Sequence, residues 1–237
     1  MFNKKYSNQL SNYSRQILRG KKPFHNRFWI LYIHKLKPEV SLLDVGCGEG
    51  FFLEYAEKYY EAVGVDVSEY AINRARKLCN KALLYVKDVT KLDLGARKFD
   101  VVTCFDVLEH LSQPDFVLRN LRRNVIKPDG LLILSVPNLK SLGRIWKGKN
   151  WHGYRDPTHV SLLSKEKWII IVYNAGFQIL DVFHDWLWDS PYFPKIPSFL
   201  QHLLFKFPST IFFFLGGPFP ERFGENLYIV ATPNDEI

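Results

Sequence analysis

One stretch, Ser41 to Phe51 (SLLDVGCGEGF), limits this chain more than any other. Leu42, Leu43 and Val45 form a short apolar run that ends at Gly46-Cys47-Gly48-Glu49-Gly50, and Phe51 to Tyr60 then reads as a helix. A run of this kind, closed by a turn signal and followed by a helix, is the pattern of a buried parallel strand. Glycines at 46, 48 and 50 carry no Cβ, so the turn is free to be tight and a ligand can lie against bare backbone. The helix that follows offers N–H groups with no partner inside it. Strand, glycine loop and helix in this order make a nucleotide-type site.

A dinucleotide fingerprint, G-x-G-x-x-G/A, would need Gly or Ala at position 51, which is Phe51. The spacing is instead G-x-G-x-G, led by Asp44. A carboxylate at the strand end suits a cation better than a pyrophosphate. Asp44-Val45-Gly46-Cys47-Gly48-Glu49-Gly50 resembles the first motif, E/D-x-G-x-G-x-G, of the class I S-adenosylmethionine (SAM) dependent methyltransferases. SAM carries an ammonium and a sulfonium but no phosphate. Phe105-Asp106-Val107-Leu108-Glu109-His110-Leu111 is similar to the V-L-E-H-L/I segment of that family's small-molecule branch, and Lys127-Pro128-Asp129-Gly130 before an apolar strand is typical of it too. The resemblance covers about residues 40–180.

It implies a Rossmann-like α/β fold: a seven-stranded, mostly parallel sheet with an antiparallel edge strand, helices on both faces, and here an apolar insertion before the last strand. It also implies SAM as cofactor, held by Asp44, Gly46, Cys47, Gly48 and Gly50 at the first strand and by Asp66 and Val67 at the second. Asp88 would meet the adenine amino group and the Val89 N–H the ring, with Phe105 beyond the fourth strand. Asp66 has an independent warrant. It lies 22 residues past Asp44 at the end of Ala62 to Val67, where an acid accepts bonds from ribose hydroxyls.

The remaining strands are expected at Leu83 to Val86, Phe99 to Cys104, Leu131 to Val136, Phe177 to Phe183 and Asn226 to Thr232. Between them, helices are expected at 69–78 behind a Ser68 cap, at Asp115 to Asn124, and at Ser164 to Asn174 before Gly176. Ahead of the first strand, Phe24, Phe28, Leu31, Tyr32 and Leu36 recur at helical steps up to Pro38, so 1–40 reads as a helical arm and 41–237 as the catalytic domain. In this fold class such a helix commonly covers the cofactor, which makes Tyr6, Tyr13 and His25 candidates for that cover.

Charge is concentrated in the arm. Residues 1–40 hold nine Lys/Arg and one acid, Glu39, and the other 23 basic and 23 acidic residues cancel. A basic arm fits an anionic partner: a phosphate-bearing substrate, a membrane surface or nucleic acid. Cys47, Cys79 and Cys104 show no metal spacing and read as buried, reduced thiols of a cytoplasmic protein; no signal peptide is expected.

The densest chemistry lies in Asn150 to Val160, where His152, Tyr154, Arg155, Asp156 and His159 fall between elements after the fifth strand. Ligands of open α/β sheets sit beyond strand carboxyl ends, so this loop belongs to the substrate pocket. A hydroxyl acceptor must lose a proton as it is methylated, which histidine does near neutral pH. His110, His159 and His152 are the candidate bases, with Asp156 to orient one. No metal is expected, since His152 and His159 lack helical pairing or nearby thiolates.

Residues 186–223 are an apolar insertion whose 199–219 segment is dominated by Phe and Leu. Pro208 and Gly216-Gly217-Pro218 break it too often for a spanning helix. It reads as a cap over the active site, or as a peripheral membrane contact beside the basic arm. The acceptor is therefore a small molecule, glycan or lipid-like compound, methylated on oxygen. An RNA or other nucleic-acid methyltransferase is the alternative, weakened by the missing Asn/Asp-Pro-Pro-aromatic tetrad that holds a flipped base. Two further alternatives are a nicotinamide-dependent oxidoreductase, opposed by Phe51 and by the lack of any Tyr-x-x-x-Lys pair, and a non-catalytic SAM-binding module.

Overall fold

The computed structural model describes residues 25–201, 203–204 and 220–234. Seven strands form one sheet: β1 (Ser41–Val45), β2 (Glu61–Asp66), β3 (Leu83–Val86), β4 (Phe99–Phe105), β5 (Ile126–Pro137), β6 (Phe177–His184) and β7 (Asn226–Pro233). Their order is β3-β2-β1-β4-β5-β7-β6. β1 pairs in parallel with β2 and β4, β2 with β3, and β6 runs antiparallel to β7 with a bulge between Ile179 and Asp181. This is the expected class I methyltransferase architecture, with the antiparallel pair at the edge.

Contacts divide the chain into two units: 25–105 with Arg119–Leu132, and Asp106–Leu118 with 133–234. In the first, Leu42, Leu43, Val45, Val101 and Val102 are fully buried, as both-face coverage of a parallel sheet demands. Helix α1 (25–36) belongs to this unit, although the apolar stripe read from its sequence is not the one it buries. Leu31 is 67% exposed and Leu36 is exposed, while Trp29, Ile30 and Ile33 are in the core. Asn26, Trp29, Ile30 and Ile33 form an i, i+3, i+4, i+7 face of their own, and that face is the one packed into the core. Asn26 Nδ2 donates to the Phe51 carbonyl at 2.8 Å, and the Tyr60 hydroxyl to the Ile30 carbonyl at 3.0 Å. Tyr6 and Tyr13 lie outside the described residues.

Other boundaries shift for local reasons. The helix after the glycine loop, α2, is short (Leu53–Ala56). Ser68 caps α3 (Glu69–Leu78) by accepting the Ala71 N–H. Next, α4 (Pro114–Asn120) runs into a π-turn at Leu121–Val125, and β5 begins at Ile126, earlier than expected. A Cβ on Gly130 would lie 2.6 Å from Ile126 Cγ1 and 2.9 Å from the Lys127 carbonyl oxygen, so the chain folds closely on itself where a plain turn was expected.

In the second unit, α5 (Leu142–Lys147), α6 (His152–Arg155), α7 (Lys165–Asn174) and the short α8 (Ser198–Gln201) accompany β6 and β7. Of the apolar insertion, Trp186, Leu187, Trp188 and Tyr192 are buried, so its first part is core; much of 199–219 lies outside the described residues. Phe199, Leu200, Leu203 and Leu204 are exposed, Phe199 at 69%. No helix among the described residues is long and apolar enough to cross a membrane. Cys47, Cys79 and Cys104 are buried, and none of them is in a disulfide.

Candidate active site

In the first unit the glycine loop curls over the end of β2, where the N–H groups of Gly46 and Cys47 both donate to the Val65 carbonyl at 2.8 and 3.0 Å. Gly46, Gly48 and Gly50 have φ of 72°, 53° and 81°, in the left-handed region that glycine enters without a steric penalty. Their surroundings differ. A Cβ on Gly50 would meet Ala75 Cβ at 2.9 Å, whereas one on Gly48 would meet nothing within 4 Å. Gly50 packs the loop on α3, and Gly48 keeps an open face.

Asp44 sits between Gly64 on β2 and Thr103 on β4. Its carboxylate is buried and accepts the Thr103 hydroxyl at 2.7 Å. Burial pushes it up to about 7; the Thr103 bond lowers it and the neighbouring Asp66 raises it again. Asp66 accepts the N–H of Gly48 at 2.9 Å on one oxygen and that of Ser68 at 2.8 Å on the other, and burial raises it against those two bonds. Each oxygen keeps a second lone pair for a ribose hydroxyl. Two acids with no basic partner within hydrogen-bond reach in these contacts fit a cationic ligand, so SAM suits the donor set.

Cys47 offers its backbone and not its thiol, which fills the space beside Gly64: a Cβ there would lie 2.9 Å from Cys47 Sγ. Val67 is exposed just past β2. Asp88 follows β3, accepts the N–H and hydroxyl of Thr90 at 2.9 and 2.8 Å, and so caps the turn that Val89 opens. Phe105 closes β4 inside an aromatic group with His25, Trp29 and Phe52, at centroid distances of 6.0, 5.2 and 5.4 Å. His25 therefore touches Phe105 and accepts the Trp29 indole N–H at 3.1 Å.

In the second unit, two of the three candidate histidines come together. The rings of His110 and His159 lie edge to face at 4.6 Å. His159 Nδ1 is 2.7 Å from the Gly153 carbonyl, which can only accept, so Nδ1 carries the proton and the neutral ring keeps its lone pair on Nε2. His110 Nδ1 is 2.7 Å from Thr158 Oγ1, whose own proton goes to Asp156 Oδ1 at 2.5 Å. His110 Nδ1 must then donate, which leaves its lone pair on Nε2 as well. Burial lowers the His110 pKa and the nearby His159 lowers it further. Asp156 thus orients His110 through Thr158.

His152 stands apart. It is buried against Trp151 and Trp188, with Nδ1 3.7 Å from Glu225 Oε2 and 3.8 Å from Asp189 Oδ2. Its surroundings are an internal network that holds the insertion: Glu225 accepts Trp151 Nε1 at 2.7 Å, the Tyr192 hydroxyl at 2.7 Å and the Ser141 hydroxyl at 2.9 Å. Asp185 accepts the N–H groups of Glu225 and Asn226 and Trp188 Nε1, each at 2.8 Å.

Sequence reasoning passed over Glu109. Its backbone carbonyl anchors the 150–160 loop by accepting the Val160 and Ser161 N–H groups at 2.9 Å each. Its carboxylate is 1% exposed, and neither oxygen has a hydrogen-bond partner among the described residues. Burial drives its pKa well above the ordinary value, and Asp106 adds to the rise. The signal was present in the chain: a carboxylate between Leu108 and a candidate base.

A family model described as a methyltransferase domain matches residues 13–182. The chain belongs to that methyltransferase-domain family. This membership sets aside the oxidoreductase alternative. Among curated proteins, a ubiquinone biosynthesis O-methyltransferase of Coxiella burnetii is 36% identical over 157 residues, 60% of this chain and 64% of the relative. A mitochondrial protein of the same name from Schizosaccharomyces pombe is 37% identical over 112 residues, 44% of this chain and 40% of the relative. The chain thus spans less than two thirds of these relatives' length. Among solved structures, the plantazolicin methyltransferase BpumL bound to SAH is similar with a TM-score of 0.69 at 19% identity, over 98% of this chain and 91% of that one. A SAM-dependent methyltransferase from Archaeoglobus fulgidus has a TM-score of 0.65 at 21% identity, over 93% and 97%. These likenesses establish the fold of the class I SAM-dependent methyltransferases.

Proposed function

We propose that this methyltransferase-domain protein moves a methyl group from SAM to a hydroxyl oxygen of a small, glycan-like or lipid-like acceptor. When bound, SAM supplies a methyl on a sulfonium, so its C–S bond breaks with the electron pair left on sulfur as the O–C bond forms and the hydroxyl proton departs. Asp44 answers the donor's positive charge. Asp66 and Asp88 take the ribose and adenine ends, the backbone of Gly46, Cys47, Gly48, Gly50, Val67 and Val89 lies along it, and Phe105 closes the β4 side.

The observation that carries the acceptor reading is the His110–His159 pair, each ring fixed by an Nδ1–H bond with its lone pair kept on Nε2. Such rings can draw off a hydroxyl proton near neutral pH. The relatives' O-methyltransferase names support the same acceptor atom. The exposed Phe199, Leu200, Leu203 and Leu204 support a greasy acceptor and peripheral membrane contact, to which the positive charge of residues 1–40 would add.

The test is methyl transfer from labelled SAM into phenol, isoprenoid, glycolipid, glycan and RNA fractions, in buffer and with anionic vesicles. A hydroxyl-bearing small molecule should take the label, and His110→Ala should abolish transfer while SAM affinity stays within twofold. Label in RNA alone would overturn the acceptor reading.

A further inference from the structure

His159 takes its tautomer from the bond between Nδ1–H and the Gly153 carbonyl, 2.7 Å long. That carbonyl belongs to α6, a single turn of four residues. A helix so short does not hold itself, since a first turn fixes several dihedrals for one hydrogen bond. It has to be placed from outside, and two buried acids do so. Glu225 accepts the indole N–H of Trp151, the residue before α6, at 2.7 Å. Asp189, 4% exposed, grips α6 at both ends: Oδ2 accepts the His152 N–H at 3.0 Å and Oδ1 the Arg155 guanidinium at 3.3 Å. The Lys147 ammonium, itself buried, meets Oδ2 at 2.7 Å and balances its charge. Gly153 fits between these anchors because a Cβ there would stand 2.1 Å from the Trp151 ring.

Asp189 reaches α6 from the apolar insertion, 30 positions past His159. Gln201 knits that insertion together: Oε1 accepts the Tyr192 and Phe193 N–H groups at 2.6 and 3.0 Å, and Nε2 donates to the Phe193 and Ile196 carbonyls at 2.7 and 2.6 Å. The Tyr192 hydroxyl then fastens it to Glu225. We infer that Asp189 is a positioning residue of the methyl-transfer site: it fixes α6, so that the Gly153 carbonyl holds His159 with its lone pair on Nε2. Its effect on turnover rests on the hydroxyl-acceptor reading, while its effect on the ring rests on geometry alone. His110 supplies the contrast. Its Nδ1 is held by Thr158, and the turn around Thr158 has an anchor of its own, the Val160 and Ser161 N–H groups on the Glu109 carbonyl. Loss of the Asp189 grip should therefore release one ring and spare the other. The insertion thus takes part in arming the base as well as in covering the acceptor.

The full chain, carrying nitrogen-15 in its histidines, is read by NMR at pH 8, with His110→Gln and His159→Gln assigning the two rings. In the native chain both should show Nδ1–H and a bare Nε2. Asp189→Asn, which keeps the size of the side chain, and Arg155→Gln, which removes one anchor at an exposed side chain, should each move His159 toward the Nε2–H tautomer while His110 stays. Methyl transfer is measured in parallel: Asp189→Asn should lower kcat roughly tenfold, with the acceptor KM and the SAM affinity within about twofold. A His159 ring unmoved in both variants overturns the positioning role. So does equal movement of both rings, which marks a general loosening of the 150–160 loop. A shifted His159 with kcat unchanged upholds the placement of the ring and overturns His159 as the base. A chain that methylates no hydroxyl acceptor, yet whose His159 shifts in Asp189→Asn, overturns the acceptor reading and leaves the placement of the ring standing.

Discussion

In the unit that carries the glycine loop, Asp66 is held by the backbone N–H groups of Gly48 and Ser68, and Asp44 by Thr103 at its own strand register. In the other unit, Glu225 is held by side chains 33, 74 and 84 positions away, and neither carboxylate oxygen of Glu109 has a hydrogen-bond partner among the described residues. The first arrangement keeps its acids ready for a ligand, with local structure already supplying their bonds. The second uses one acid as an internal fastener and leaves another in need of an external partner. Buried carboxylates in one chain can thus be scaffold or site, and the origin of their donors tells which.

Three measurements break or sharpen this contrast. The largest effect is expected at Glu225, where Ala would strand three buried donors at about 1–3 kcal/mol each. Glu225→Ala should lower the unfolding free energy by about 3–5 kcal/mol in urea melts, and Glu225→Gln, which keeps an acceptor, by less than half of that. A loss under about 1 kcal/mol for Ala would remove the fastener role.

Asp44 should behave oppositely, since it serves binding at the expense of stability. Its folded pKa of about 7 is raised above the unfolded value, so its contribution to stability is present at low pH and falls as pH rises toward 7. Asp44→Asn should therefore leave stability at pH 8 unchanged or higher while weakening SAM by about tenfold in calorimetry. In the native chain the carboxyl must be ionised to meet a cation, so SAM affinity should drop roughly tenfold from pH 8 to pH 6. Affinity flat across that range would deny Asp44 its role.

The smallest effect belongs to Asp100, a conventional partnered acid. Burial would raise it, but the hydroxyl and N–H of Ser41 and the Lys127 ammonium outweigh this and hold it at about 2. Its stabilisation is present above pH 4 and is lost as pH falls through 2. Asp100→Asn should cost about 1–2 kcal/mol at pH 7, after allowance for partial exposure, and much less near pH 2. Equal costs at both pH values would contradict the assignment.

What the sequence disclosed follows from the same contrast. The strand, Asp44, the glycines, Asp66 and the Ser68 cap were legible because each depends on neighbours within a few positions or on strand order. Helix α1 was legible as a helix but not in its buried face: with Phe, Trp, Ile and Tyr crowded over 28–33, more than one stripe satisfies the helical period, and only packing chooses Trp29, Ile30 and Ile33. The pairing of His110 with His159 and the separation of His152 were hidden, since proximity along the 150–160 loop says nothing of which way each ring turns. Glu109 went unread because nothing local shows that a carboxylate beside His110 is shut off from water.

Gly143 shows how far the fastening of Glu225 reaches. A Cβ there would stand 2.0 Å from Glu225 Oε1, and that oxygen cannot retreat while Tyr192 holds it. The two positions, 82 apart in the chain, therefore share one small volume. Across sequences that diverge from this one they should mutate in concert: a larger residue at 143 should arrive only where 225 has shortened, and a lone change at either should be rare.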